Sequence, residues 1–201
     1  MGTPANLAGL VDLLCQREPR FCAVVKAHGI PSLRHTPAGL EGLLIIITEQ
    51  FLSLQAAACI WARLKIRLGD CHAEDILKCP QTEFQALGLS RAKAQAFHAA
   101  AVCDFDFTNM TAGEISRTLC AIKGVGPWTS DIYLLAVLGH VDSWPAGDLA
   151  LRIAVHDFLK LEKRPDITEM TRHAENWKPY RAVAARLLWS HYRGLKGLAQ
   201  A

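Results

Sequence analysis

The most informative segment of the chain is Ile122-Lys123-Gly124-Val125-Gly126-Pro127, which lies between two segments with helical periodicity. The upstream segment starts with Thr111 and Glu114, the Thr-x-x-Glu pattern of a capping box, and its helix is expected to run to about residue 121. Pro127 suits the first turn of the next helix, because that position needs no amide hydrogen. Two glycines around one apolar residue allow a tight turn. The sequence therefore predicts two helices joined by a hairpin.

A glycine-rich hairpin that leads into a helix N-terminus is also suited to binding an anion. Its amide groups and the helix dipole favour a DNA phosphate, and such a contact positions a protein without reading sequence. A Gly-x-Gly on its own is more simply a tight turn between helices. The hairpin alone leaves both interpretations open.

Composition and periodicity place the chain among helical globular proteins. Of the 201 residues, 51% are hydrophobic, and they recur mostly at helical spacing. The run Ile45-Ile46-Ile47 looks like a strand, but a helical pattern continues on both sides, so we interpret residues 39–48 as a buried helix. Ser53 is expected to cap a helix over Leu54–Leu68. No run is long enough to span a bilayer, and the first residues do not resemble a signal peptide, which favours the cytosol.

The number and spacing of the cysteines and the distribution of charge further restrict the kind of protein that this chain can be. The seven cysteines are scattered without a Cys-x-x-Cys pair, so neither a disulfide framework nor a metal site is indicated. The net charge is only +3, but residues 151–201 carry ten Lys and Arg against five Asp and Glu. A basic segment of this kind suits a surface that faces phosphate, although solvated helix faces often look the same.

Four segments in the expected order resemble the helix-hairpin-helix (HhH-GPD) superfamily of DNA glycosylases, and within it 3-methyladenine DNA glycosylase II. These segments are residues 119–130, the turn Pro145-Ala146-Gly147-Asp148, residues 47–57, and the closing stretch of residues 174–181 and 185–189. The resemblance covers roughly residues 18–193. It implies an all-α fold in a single domain, residues 1–201, without an N-terminal β lobe.

The resemblance also implies two helical lobes with the active-site cleft between them. One lobe is expected to hold about residues 34–140, including the hairpin at 122–127. The other is expected to combine about residues 1–33 with 141–201.

Asp148 is the catalytic carboxylate that the resemblance implies. A fixed carboxylate beside C1′ stabilises the positive charge that develops on the sugar as an N-glycosidic bond breaks. Asp148 also directly precedes the helix predicted from Leu149, so an N-cap is a second and compatible interpretation. The implied function is a monofunctional DNA glycosylase of base excision repair. It would hydrolyse alkylated purines, 3-methyladenine and 7-methylguanine, from duplex DNA and leave an abasic site.

Departures from other branches of the superfamily restrict the chemistry. Bifunctional members place a lysine just after the hairpin, where this chain has Trp128, so no lyase activity is expected. No cysteine follows Cys120, so no iron–sulfur cluster is expected. The resemblance implies Na+ or K+ at the carbonyls of Ile122 and Gly124, and no required cofactor. The expected partner of this cytoplasmic monomer, nucleoid-associated in a bacterium, is double-stranded DNA with damaged bases.

The resemblance assigns a wedge and a set of DNA contacts. The family places an intercalating side chain directly after the Gln of its Gln-x-x-Ser segment, which here is Phe51. A core position between two helices is the alternative for Phe51, and Gln50 is expected in the minor groove. The expected DNA contacts are Gln50, Phe51, Ser53, Lys123, Gly124, Val125, Gly126 and Thr129.

The pocket for the flipped base is expected to contain Trp128 and Trp189, with Ile132 and Trp144 as further members. Aromatic rings favour cationic alkylpurines, although a tryptophan is equally a good core residue. Ile132 stands where the compared pattern has an aromatic residue, and Gly147 and Leu149 replace an acid and a tyrosine beside Asp148. Two alternatives to the implied function stay open: a non-catalytic DNA-binding module, and a glycosylase for other damaged bases.

Overall fold

The computed structural model of the chain describes residues 4–32 and 36–198, with side chains from residue 7 onward. These residues form twelve α-helices and one 3-10 helix, and no strand occurs among them, so the prediction of an all-α fold is confirmed. In chain order the helices are α1 Pro4–Arg17, α2 Arg20–His28, α3 Gly39–Glu49, α4 Leu54–Leu68, α5 Ala73–Lys78, α6 Gln81–Ala86, α7 Arg91–Ala101, α8 Ala112–Ala121, α9 Pro127–Ala136, α10 Leu149–Phe158, α11 Ile167–Ala174, the 3-10 helix Glu175–Trp177, and α12 Arg181–Leu195.

The chain divides into two compact units. The first consists of Met1–His35 together with Leu138–Ala201, and the second is Thr36–Val137. We call them the discontinuous unit and the continuous unit. Within the residues described, no helix has the length and apolarity needed to cross a membrane.

Helix α3 lies at the centre of the continuous unit. It packs against α4, α7 and α9, and its residues from Gly42 to Thr48 are all buried. The run Ile45-Ile46-Ile47 is therefore part of a helix, as predicted, because a helix covered on several sides needs no polar face.

Side-chain caps fix the starts of several helices in this unit. The Ser53 hydroxyl accepts a hydrogen bond from the Ala56 amide at 3.2 Å, which starts α4 at Leu54. Thr111 and Glu114 form the predicted reciprocal capping box of α8. Both starts were readable from local sequence, because a cap involves residues only three positions apart.

An aromatic cluster forms part of the core of the discontinuous unit. The Phe21 ring lies 4.5 Å from that of Phe158 and 5.5 Å from that of Trp177, measured between centroids. Trp144 meets Trp177 edge-on at 5.4 Å. Helix α12 packs along α10 and α2 beside this cluster. This packing holds the N-terminus of α10, where Asp148 lies, against α12.

Candidate functional site

The hairpin of the continuous unit joins α8 to α9 through two backbone turns. The Val125 amide donates to the Ile122 carbonyl at 3.0 Å, and the Ser130 amide donates to the Gly126 carbonyl at 3.0 Å. Gly124 has a φ of +90°, and a Cβ placed on it would lie 2.6 Å from the Cβ of Ala96 on α7. Position 124 therefore requires glycine for two reasons: its backbone is left-handed, and it lies too close to α7 for a Cβ.

Neither of these two constraints requires a glycine at position 126. Its φ of −108° is open to any residue, and a Cβ there would meet nothing within 4 Å. It is the N-cap of α9 and, as a glycine, has no side chain with which to cap that helix. An anion approaching the helix N-terminus would meet the bare backbone at Gly126. The neighbouring Lys123 is exposed, as a phosphate contact requires.

Gln50 lies against the hairpin. Its side-chain nitrogen donates to the Gly124 carbonyl at 3.1 Å and to the Thr129 hydroxyl at 2.8 Å. Both hydrogens of the amide are therefore used within the protein, and Thr129 is only 2% exposed. The predicted minor-groove contact of Gln50 and the predicted DNA contact of the Thr129 side chain remain untested. Neither donor group of the Gln50 amide points to solvent in this arrangement.

Phe51 is fully exposed, with a relative accessibility of 102%. Its backbone has a φ of +58°, a conformation that a bulky residue adopts only under local constraint. Residues 52–56 that follow it are exposed as well. The alternative of a core role for Phe51 is therefore wrong, because its ring contacts no core. The wedge role remains a prediction that this exposure favours.

The other residues predicted to contact DNA or the base in the continuous unit differ in how exposed they are. Val125 is 5% exposed and Ile132 is 9% exposed, so both side chains contribute mainly to packing. Trp128 is half-buried in the first turn of α9. Ser53 is exposed, and its hydroxyl serves as the α4 cap. Their roles toward DNA or a base stay predictions.

Asp148 lies in the discontinuous unit as the N-cap of α10. Its Oδ1 accepts the Leu151 amide at 2.9 Å and the indole Nε1 of Trp189 at 3.1 Å. The expected N-cap is confirmed, and it occupies the same oxygen as the indole contact. Two donors on one oxygen fix the rotation of the carboxylate, and the residue stays partly exposed.

The turn before Asp148 is held by a second pair that the sequence analysis missed. Arg181 on α12 makes a bidentate ion pair with Asp142, with both N···O distances at 2.8 Å, and its amide donates to the same carboxylate at 3.3 Å. The Asp148 amide closes the turn on the Pro145 carbonyl at 2.9 Å. Bidentate pairs of this kind are geometrically specific, so the pair anchors the turn to α12. No local pattern links residues 39 positions apart.

The two tryptophans predicted for the base pocket in this unit have different surroundings. Trp189 is half-buried and is joined to Asp148 by its indole nitrogen. Trp144 is 6% exposed, packs on Trp177, and has a buried Nε1 with no hydrogen-bond partner within the described part of the chain. The structure therefore brings Trp189, and not Trp144, to the carboxylate. Whether either contacts a base stays a prediction.

A cation at the hairpin stays a prediction, and both carbonyls that were named for it already accept one hydrogen bond. The Gly124 carbonyl already accepts the Gln50 amide, and the Ile122 carbonyl already accepts the Val125 amide. A Na+ or K+ ion would share each oxygen with an N–H donor that carries partial positive charge. Across residues 4–32 and 36–198, no group of three His, Cys, Asp or Glu side chains is placed to hold a metal.

Comparison with known proteins shows the family. No protein-family model matches the chain. An alkylbase DNA glycosidase-like protein of Schizosaccharomyces pombe, mag2, is 30% identical over 187 residues, which is 85% of this chain and 86% of that protein. The chain belongs to the family of 3-methyladenine DNA glycosylases. The DNA-3-methyladenine glycosylase 1 of the same yeast is 27% identical over 160 residues, 74% of this chain and 70% of that protein.

Solved structures of this glycosylase family share the fold. The S. pombe 3-methyladenine DNA glycosylase, solved in complex with abasic DNA, superimposes with a TM-score of 0.80 at 23% identity. The match covers 96% of this chain and 98% of that one. The helical architecture is thus that of a glycosylase over nearly its full length.

Proposed function

We propose that this chain is a monofunctional DNA glycosylase of base excision repair, which hydrolyses the N-glycosidic bond of alkylated purines flipped out of duplex DNA. The observation that carries the proposal is the Asp148 carboxylate, held by two N–H donors in a member of a glycosylase family. The names of the relatives, alkylbase glycosidase-like and 3-methyladenine glycosylase, favour alkylated bases and 3-methyladenine in particular. We propose 7-methylguanine as a second substrate, because it is also a cationic alkylpurine.

Asp148 supplies the electrostatic part of the reaction. As the base departs, the deoxyribose gains positive charge, and a carboxylate already fixed in orientation stabilises it without reorganising. The amide of Leu151 and the indole of Trp189 provide that fixation. The same carboxylate orients the attacking water or takes its proton. An alkylated purine is already cationic, so it leaves without a second carboxyl group acting as acid.

DNA is held by the continuous unit in this proposal. The N-terminus of α9 at Gly126 binds a backbone phosphate, with Lys123 nearby in sequence and exposed. Phe51 fills the gap that the flipped nucleotide leaves in the stack, since its ring is fully exposed and aromatic. Trp128 offers a ring face to the cationic base.

The proposed reaction requires no cofactor and stops at the abasic site. Trp128 follows the hairpin where bifunctional relatives have a lysine, and an indole cannot form a Schiff base. No step passes through a hairpin cation. The enzyme is proposed to act as a monomer on double-stranded DNA in the cytoplasm, or at the nucleoid if the source is bacterial.

The test is a product analysis on duplex DNA treated with a methylating agent. The wild type is expected to release free 3-methyladenine and 7-methylguanine and to leave strands that break only after alkali, whereas D148N releases neither base. Strand cleavage without alkali would reveal a lyase. If the wild type binds the duplex but releases no base, the protein is a non-catalytic DNA-binding module. If wild type and D148N release base equally, Asp148 has no role in catalysis.

A further inference from the structure

The turn that carries Phe51 is tied to the hairpin by one side chain. Gln50 directly precedes Phe51, and its amide nitrogen donates to the Gly124 carbonyl and to the Thr129 hydroxyl. Gly124 lies in the middle of the hairpin and Thr129 lies in the first turn of α9. The Gln50 amide therefore connects the residue next to the proposed wedge to the hairpin at Gly124 and to the first turn of α9 at Thr129.

The same framework continues beneath the turn and the hairpin. Lys93 on α7 is 8% exposed, and its Nζ donates at 2.9 Å to the carbonyl of Thr48, near the end of α3. Ala96, one turn further along α7, is the residue that Gly124 approaches closely. Helix α7 thus contacts the last turn of α3, two residues before Gln50, and also the hairpin at Gly124. The Gln50 side chain links these two segments.

The conformation of Phe51 requires such support. A φ of +58° is unfavourable for a bulky residue, and the exposed ring gains nothing from packing that would offset this cost. The strain persists where the surrounding structure fixes the backbone. The hydrogen bonds of Gln50 provide that constraint at the adjacent residue.

We propose that Gln50 is a positioning residue that couples phosphate binding at the hairpin to insertion of Phe51, and that it acts through Thr129 rather than by reading the minor groove. This inference deepens the proposed function and rests on it for the role of Phe51. A phosphate at the N-terminus of α9 would orient the first turn of that helix, and the Gln50 amide would transmit that orientation to the wedge turn.

A double-mutant cycle tests the coupling. T129V removes the hydroxyl acceptor while keeping the shape of the buried side chain, and Q50M removes the amide donor at similar length. The probe is a duplex with a tetrahydrofuran abasic analogue next to 2-aminopurine, whose fluorescence reports insertion of the wedge. T129V is expected to insert Phe51 about fivefold more slowly, the loss that one neutral hydrogen bond represents. Q50M also loses the hydrogen bond to the Gly124 carbonyl and is expected to be at least as slow as T129V. The double variant is expected to be no slower than Q50M.

Several outcomes would overturn the inference. Additive effects, a silent T129V beside an impaired Q50M, or no effect of either would show that Gln50 does not act through Thr129. Affinity for undamaged duplex should stay within twofold, because a merely structural defect would lower it as well. S116A is the matched control, since the Ser116 hydroxyl accepts a hydrogen bond from the Ser130 hydroxyl at 3.1 Å, a bond between α8 and α9 that involves neither Gln50 nor Thr129. The abasic analogue has no base to release, so failure of the proposed activity would be seen separately.

Discussion

Asp148 performs two tasks with a single oxygen atom. The Leu151 amide that it caps and the Trp189 indole both bind Oδ1, so the contact that starts α10 also orients the proposed catalytic group. An N-cap is readable from the chain, because Asp148 and Leu151 are three positions apart. The indole contact joins residues 41 positions apart, and no local pattern encodes it.

Substitution of Trp189 tests this orientation. W189F keeps an aromatic ring against the α10 N-terminus but removes the N–H donor, so the single-turnover rate of base release should fall about 10- to 100-fold, as expected for a lost hydrogen bond to a charged group. Affinity for a tetrahydrofuran duplex, which contains no base, should not change. W61F on α4 is the matched tryptophan-to-phenylalanine control. A rate for W189F equal to that of wild type would mean that Asp148 is oriented without the indole.

Phe51 offers the second test at this scale. Because its side chain is wholly exposed, F51A should change the free energy of unfolding by less than about 0.5 kcal/mol. Base release from duplex DNA should nevertheless fall at least 10-fold, because the gap in the stack is left open. I66A removes another apolar side chain, 88% exposed on α4, and should alter neither quantity. If F51A lowers the free energy of unfolding and leaves base release unchanged, Phe51 stabilises the fold and is not a wedge.

At the scale of helices and turns, local chemistry was the reliable guide. The caps at Ser53 and Thr111 and the proline that opens α9 were predicted from residues within one turn of each other. The end of α9 at Ala136 is less readable from the chain than its start. Helix ends fray, and the glycine at 139 marks the end of the pattern rather than the last helical residue.

The two hairpin glycines should respond differently to alanine. G124A places a methyl group against Ala96 on a left-handed backbone, so the free energy of unfolding should drop by about 1–3 kcal/mol. G126A should leave stability within about 0.5 kcal/mol and weaken binding to undamaged duplex about 10-fold, because its methyl group occupies the open approach to α9. Urea unfolding and fluorescence anisotropy at fixed salt measure the two effects. If G126A binds the duplex as tightly as the wild type, the DNA phosphate does not bind at the N-terminus of α9.

At the scale of the whole molecule, the sequence predicted the all-α class but not the tertiary hydrogen bonds that make each unit specific. Periodicity and composition reflect which residues are buried, whereas pairs such as Gln50 with Thr129 and Asp142 with Arg181 depend on how helices pack. The internal hydrogen bonds of Gln50 could not be read from the chain, because its partners lie 74 and 79 positions away.

Two buried thiols predict how stability depends on pH. Burial raises the pKa of Cys71 and of Cys79 from the ordinary 9.0 to about 11. A raised folded-state pKa adds stability that is fully present below pH 9 and is lost as the pH rises through 11. The free energy of unfolding in urea with a reductant should therefore fall across pH 9–11, by up to about 2 kcal/mol per thiol.

The C71A/C79A variant provides the comparison for this pH dependence. It should start from a lower stability and show a shallower decline between pH 9 and 11, because neither titrating thiol remains. Burial also raises the pKa of Tyr133 to about 12, so a residual decline at higher pH should persist in both proteins. An unchanged slope in the variant would show that other groups cause the alkaline loss.

Asp148 is proposed to take part in the chemistry and not only to hold the fold. The most direct measurement determines, for D148N and wild type, the single-turnover rate of 3-methyladenine release and the dissociation constant for a tetrahydrofuran duplex. Asparagine caps a helix as well as aspartate does, so the fold and DNA binding should be kept within about threefold. The rate should fall at least 100-fold, because the negative charge is lost. A D148N protein that releases base at a rate near that of wild type, or that loses binding as much as rate, would contradict the account.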